Sequence, residues 1–302
     1  MAQIKKIIEV EKVVIKFAGD SGDGMQLTGS QFSDESAWLG NDIATFPDYP
    51  SEIRAPAGTV AGVSGFQIHF GKTGIHSPGD IADVLVAMNP AALKTNFRNI
   101  RKQAIIITDI DSFDQKSIEK AEFKSNPLED GTLDEYEVIK VPISSLTKKS
   151  ILSLGLAIDN KSIMRCKNLF ALGFINCMFN RSINQAENFI NEKFKKNPLL
   201  VQANIAALNA GYNFADTIEA VSFAYTILPS SNKPGKYRNI TGNKAVAWGL
   251  MAASEKAKIP IFLGSYPITP ATDIMQELVK HKWIGAKVFQ AEDEIAGICS
   301  AI

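Results

Sequence analysis

The chain has 302 residues, 45% of them hydrophobic and 21% charged, and its 32 Lys+Arg balance 32 Asp+Glu. Zero formal net charge, with no basic stripe interleaved with aromatics, argues against nucleic acid or an anionic membrane surface as partner. No apolar run approaches the roughly 20 residues that span a bilayer, and Met1-Ala2-Gln3-Ile4-Lys5-Lys6 lacks the apolar core of a signal peptide.

Residues 13–18 are a β-branched run predicted to be a strand, ending in the glycine-rich loop Gly19-Asp20-Ser21-Gly22-Asp23-Gly24. A helix is predicted over 25–39, a strand over 42–46, a long loop over 47–59 and a strand over 62–70. Asp83-Val84-Leu85-Val86-Ala87-Met88 has the apolar run of a buried strand, with a helix expected from Ala91. Further strands are predicted over 103–108 and 136–141. This alternation argues an α/β fold with a mostly parallel sheet and helices on its faces. From 144 the pattern turns helical, over 144–156, 161–179, 183–195 and 199–224, so the first domain ends in a helical portion.

Residues 226–242 contain Pro229-Ser230-Ser231-Asn232-Lys233-Pro234-Gly235, a linker composition. The α/β rhythm then restarts, with a helix over 243–258, a strand over 259–263, a helix over 270–281, a strand over 287–290 and a helix from 292. Two domains are therefore expected, 1–225 and 243 onward, joined by 226–242. The final helix carries Ile295, Ala296, Ile298, Cys299 and Ile302 without a C-terminal cap. The expectation is a polypeptide that continues, with the second domain only begun here. The three cysteines are Cys166, Cys177 and Cys299; their spacing argues against a disulfide framework or an iron–sulfur cluster held by this chain alone, and the reading is cytoplasmic. No metal-ligand spacing links His69, His76 and His281.

Four loops could carry chemistry. In residues 19–24 glycines let backbone N–H groups approach an anion at a helix start. The spacing is G-x-x-G-x-G, however, and Asp20 and Asp23 would repel phosphate. A tight turn with Asp or Ser capping helix 25–39 is the competing reading. In residues 52–59, Glu52 and Arg54 could form an intraloop ion pair, or Arg54 could grip an anion. In Tyr266-Pro267-Ile268-Thr269-Pro270, proline at the first helical position makes Thr269 the expected N-cap, its hydroxyl and the free N–H groups open to an anion. In Glu292-Asp293-Glu294 the acids suit a helix start. Ile295, Ala296 and Ile298 would give Glu294 a partly apolar setting that favours its protonated form.

Taken together, these segments resemble the 2-oxoacid:ferredoxin oxidoreductases, specifically the fused γ–α subunit of the 2-oxoglutarate type. The residues that carry the likeness are Phe17-Ala18 with the 19–24 loop, the 52–59 loop, Gly65-Phe66-Gln67, Gly79-Asp80 and the run from Asp83 to Leu93. After the linker come Gly242-Asn243, Tyr266 to Pro270, and Gln290-Ala291-Glu292-Asp293-Glu294. The resemblance implies a γ domain over 1–225 and the start of a thiamine-diphosphate (pyrimidine) domain from 243. It implies CoA-dependent oxidative decarboxylation of 2-oxoglutarate to succinyl-CoA, with electrons passed to ferredoxin. Thiamine diphosphate would be shared at an interface with a β subunit, which would hold Mg²⁺ and the iron–sulfur cluster, in a larger oligomer. Glu294 would be the carboxyl against the aminopyrimidine, with Glu292 as fallback. Thr269, with Tyr266, Pro267, Ile268 and Pro270, would contact substrate. The 19–24 loop departs from the G-x-G-G-Q-G form resembling pyruvate-type enzymes, which tilts the substrate towards 2-oxoglutarate. A subunit for pyruvate, branched-chain or aryl 2-oxoacids is the runner-up. A non-catalytic nucleotide-binding scaffold is the alternative of a different class.

Overall fold

The structure, a computed structural model, describes residues 6–52, 55–218, 223–233 and 235–302. It divides into two compact units, residues 1–234 and 235–302, a boundary that falls inside the expected linker.

In unit 1 the strands are β1 (Lys6–Glu9), β2 (Lys12–Asp20), β3 (Asp42–Asp48), β4 (Val63–Gly71), β5 (Ala82–Ala87), β6 (Ile100–Asp109), β7 (Glu137–Val141) and β8 (Phe223–Thr226). The helices are α1 (Met25–Trp38), α2 (Pro90–Asn96), α3 (Gln115–Lys120), α4 (Ile143–Leu152), α5 (Asn160–Arg165), α6 (Lys167–Met178), α7 (Asn184–Phe194) and α8 (Pro198–Thr217). Six strands form one sheet in the order β3-β4-β2-β5-β6-β7. Pairings from β2 through β7 are parallel, and β4 joins β2 and β3 antiparallel.

Side chains of a strand alternate between faces, and the two cores follow that period. Ile15, Phe17, Val84, Val86, Ile105 and Ile107 point to one core with Phe32, Phe170 and Phe174. Ala18, Leu85, Ala87, Ala104 and Ile106 point to the other, closed by Ala92 and Leu93 of α2. On the first face α6 is buried almost all round, so it lacks the polar stripe of a surface helix. It meets α8 at two glycines: a Cβ on Gly173 would lie 2.0 Å from the Leu208 carbonyl oxygen, and one on Gly211 would lie 2.0 Å from that of Phe170. Only glycine permits backbones to approach so closely.

Several expectations are corrected. The helix expected over 161–179 is two, α5 and α6, which meet at Cys166. The helix expected over 199–224 stops at Thr217, and Phe223–Thr226 is instead β8, paired parallel with β1. β8 carries aromatic and β-branched residues, and a partner strand more than two hundred residues away decides its state. The Asp or Ser cap expected for α1 is replaced by Gly24, at φ 76° with no side-chain cap. Asp23 is committed elsewhere: its carboxylate accepts from Asp20 N at 3.0 Å and pairs with Lys167 at 2.9 Å.

Unit 2 holds α9 (Gly242–Ala257), β9 (Phe262–Ser265), α10 (Thr272–Lys280), β10 (Lys287–Gln290) and α11 (Glu294–Ala301). β9 and β10 pair parallel, with Lys287 opposite Phe262 and Gln290 opposite Ser265. A small core of Ala247, Met251 and Leu278 lies beside them. Among the described residues no helix is long and apolar enough to cross a membrane.

Candidate functional site

A parallel pair of strands sends both of its following loops to one edge, and that edge is where α/β sheets bind ligands. In unit 2, Tyr266 to Pro270 follows β9 and Glu292-Asp293-Glu294 follows β10. The pairing runs past the strand ends, since Ala291 N donates to Ser265 O at 2.7 Å. The two segments singled out in the sequence therefore emerge side by side.

Helix α11 is held tightly over this edge. A Cβ on Gly264 would lie 2.4 Å from the Gly297 carbonyl oxygen and 2.4 Å from Ser300 Oγ. Asp293 is the N-cap, its Oδ1 accepting from Ala296 N at 2.8 Å. Helix α11 thus starts at Glu294 rather than 292. Glu294 is exposed, as are Glu292, Ile295 and Ile298. The apolar enclosure expected around Glu294 is absent among the described residues, because the neighbouring isoleucines turn outward with it.

The other segment also departs from expectation. Thr269 is not the cap, and the helix begins not at Pro270 but at Thr272, with Ala271 in the cap position and no side-chain cap. The turn consumes the intervening residues. Thr272 N donates to Ile268 O at 2.9 Å. Thr272 Oγ1 both accepts from Ile268 N and donates to Ile268 O, each at 2.8 Å. A second tie comes from α9, where Asn243 Nδ2 donates to Pro270 O at 2.9 Å. The Thr269–Pro270 peptide is cis. Pro267, Ile268, Thr269 and Pro270 are exposed on this braced loop, and Tyr266 is half-buried. Thr272 and Asn243 went unassigned in the sequence; only the i,i+4 spacing to Ile268 hinted at the first.

Behind the site, Glu277 accepts from Trp248 Nε1 at 2.9 Å and from Lys280 Nζ at 3.0 Å, tying α9 to α10. The Lys280 bond, then those from Trp248 and His281, holds its carboxyl down at about 2.

The 19–24 loop of unit 1 lies at the carboxyl end of β2. Asp20 accepts from Gly58 N at 3.0 Å, linking it to the 55–59 segment. Burial, then the charge of Asp23, raises its carboxyl above the ordinary range. Facing carboxylates make this a poor phosphate cradle. Arg54, the candidate anion grip opposite Glu52, lies outside the described residues. Among the described residues no group of three His, Cys, Asp or Glu could hold a metal ion.

Residues 14–214 match the family described as pyruvate ferredoxin/flavodoxin oxidoreductase. The chain belongs to that family. The 2-oxoglutarate oxidoreductase subunit KorA of Mycobacterium tuberculosis is 49% identical over 293 residues, which is 97% of this chain and 45% of the relative. Among solved structures, the 2-oxoglutarate:ferredoxin oxidoreductase of Magnetococcus marinus, with 2-oxoglutarate, coenzyme A and succinyl-CoA bound, superposes with a TM-score of 0.72 at 24% identity. It covers 96% of this chain and 45% of that one. The likeness to that structure extends through both units and establishes their α/β fold. The chain spans 45% of the length of each relative.

Proposed function

We propose that this chain is part of the α subunit of a 2-oxoacid:ferredoxin oxidoreductase, acting on 2-oxoglutarate with coenzyme A to give succinyl-CoA. The reading rests on the 49% identity to a 2-oxoglutarate oxidoreductase subunit across both units. In it residues 1–225 are the γ domain, 226–242 the linker and 243–302 the start of the pyrimidine-binding domain. The partner is a β subunit carrying Mg²⁺ and the iron–sulfur cluster, ferredoxin takes the electrons, and the enzyme is cytoplasmic.

The donor set at the carboxyl edge of β9 and β10 fits thiamine diphosphate held between subunits. Glu294 is an exposed carboxylate flanked by exposed Ile295 and Ile298, the mixture that a polar heterocycle and a partner surface would cover. Glu294, with Glu292 as fallback, would hold the aminopyrimidine ring. When bound, the cofactor supplies the nucleophilic carbon and the electron sink that decarboxylation of a 2-oxoacid requires. Glu294 itself contributes a proton-sharing carboxyl at the ring nitrogen, with Asp293 and the Gly264–Gly297 contact fixing where that carboxyl begins. Thr269, with its neighbours Tyr266, Pro267, Ile268 and Pro270, meets the substrate from a loop that Thr272 and Asn243 keep in place.

Full-length protein assembled with its β partner is expected to reduce an artificial electron acceptor only when 2-oxoglutarate and coenzyme A are both supplied. Equal or faster turnover with pyruvate would refute the substrate. Glu294→Gln is expected to abolish proton exchange at the thiamine C2 position while leaving assembly intact; unchanged exchange removes Glu294 from the mechanism.

A further inference from the structure

A cavity of about 340 Å³ opens in unit 1, far along the chain from the thiamine segment, between the C-terminal end of α1 and the start of α7. Its walls include Glu35, Trp38, Leu39, Arg181, Asn184 and Gln185. That volume suits a small ligand.

Arg181 is 7% exposed, and among the described residues its guanidinium donates to neutral oxygens, Ser36 Oγ at 2.8 Å and Asn41 Oδ1 at 3.3 Å. The group lies 4.1 Å from the Phe32 ring centroid and 4.8 Å from that of Phe70. Among the described residues no carboxylate forms an ion pair with it. Burial lowers the guanidinium to about 10, the nearby Glu35 carboxylate offsets its charge when ionised, and five N–H donors exceed the two partners found among the described residues. Beside it Glu35 is 3% exposed; its Oε1 accepts from Gln31 Nε2 at 3.3 Å, and its Oε2 is buried with no hydrogen-bond partner among the described residues. Burial pushes the Glu35 carboxyl up to about 7, with Asp34 adding to the rise and Asn176, Gln31 and Arg181 opposing it. Near neutral pH this wall therefore carries the Arg181 charge beside a carboxyl that is about half protonated, and in that form an O–H donor.

At the start of α7 the cap position is Ile183, and the Asn184 N–H donates to Ser182 Oγ at 3.3 Å. The rim is apolar: Trp38 is 70% exposed and Leu39 39% exposed.

We propose that this cavity binds a small organic carboxylate whose apolar body lies against Trp38 and whose carboxylate takes hydrogen bonds from Arg181 and Glu35. A neutral molecule gains no charge-assisted bond from the guanidinium. A phosphate dianion brings a second charge against Glu35 and leaves the indole uncovered.

Calorimetric titration of the full-length protein, assembled with its partner, uses phenylacetate, 2-phenylethanol and inorganic phosphate as probes. Phenylacetate is expected to saturate one site, with the other two at least about tenfold weaker. Trp38→Ala, a change at an exposed side chain, is expected to weaken phenylacetate about tenfold. Linkage to one proton on Glu35 makes the affinity fall about tenfold from pH 6 to pH 8, and Glu35→Gln removes that slope. No saturation by about 10 mM overturns the proposal. So does affinity indifferent to Trp38→Ala, which would place the ligand elsewhere, or a pH slope that Glu35→Gln leaves intact. Phosphate binding as tightly as phenylacetate overturns the carboxylate class.

Discussion

Gly264→Ala separates the geometry of the candidate thiamine edge from the folding of the chain. The added methyl would sit 2.4 Å from the Gly297 carbonyl oxygen and 2.4 Å from Ser300 Oγ. Ordinary contact begins near 3.4 Å, so α11 must retreat from β9 by about 1 Å, the overlap that close packing does not absorb. Overpacking of this kind costs about 1–3 kcal/mol in stability. The functional loss is larger in proportion, because a 1 Å misplacement of a reacting group costs on the order of 10²-fold in rate. Glu294 opens the displaced helix and therefore moves with it. The assay is kcat of the proposed oxidoreductase, full-length and with its proposed β partner, alongside thermal unfolding. Gly249→Ala in α9, where a Cβ meets nothing within 4 Å, is the control. It is expected to hold kcat and to raise stability by up to about 1 kcal/mol from helix propensity. A Gly264→Ala enzyme with kcat within twofold of wild type would refute the argument that this contact positions Glu294.

Four further outcomes are expected. Gly211→Ala places a methyl 2.0 Å from the Phe170 carbonyl oxygen and should lower the thermal midpoint of unit 1, by several degrees for about 1–3 kcal/mol; an unchanged melting curve counts against the α6–α8 contact. Asn243→Ala frees the Pro270 carbonyl and should raise KM for the 2-oxoacid more than it lowers kcat, as read from steady-state kinetics. Glu35 holds its proton up to about 7 in the folded state against an ordinary 4.5, so its contribution is complete below pH 4.5 and is lost as pH rises to 7. The unfolding free energy from urea titrations should therefore decline over that window by about 3 kcal/mol, and Glu35→Gln should flatten the decline. Glu277 has the opposite sign, its carboxyl held at about 2, so its contribution is present above pH 4.5 and disappears as pH falls through 2. Glu277→Gln should remove the acid-side slope in tryptophan fluorescence of unit 2.

Much of the fold was legible because apolar periodicity is written locally. The alternation in Val13-Val14-Ile15-Lys16-Phe17 and Asp83-Val84-Leu85-Val86 sorted itself onto two cores as a buried strand should. The helix expected from 199 begins one residue earlier, at Pro198, with Asn197 as its cap. Where the reading failed, a partner outranked propensity. Residues 223–226 continue an apolar helical stretch in sequence, yet β1 recruits them as a strand. Thr269 has the chemistry of a cap, but Thr272 closes the turn first with its own hydroxyl.

The sequence by itself determined an α/β protein in two units and, through ordered motifs, the oxidoreductase family. It also placed the candidate chemistry at two loops, because residue type and spacing within a loop are local properties. Only the tertiary structure decided that those loops leave parallel strands on one edge, since the register of β9 with β10 joins segments twenty-five residues apart. It alone brought Glu35 to Arg181 across nearly half the chain. Burial then turned an ordinary glutamate and an ordinary arginine into the wall of a cavity. Burial and pairing depend on what the whole chain packs around a side chain, and no local pattern carries that information.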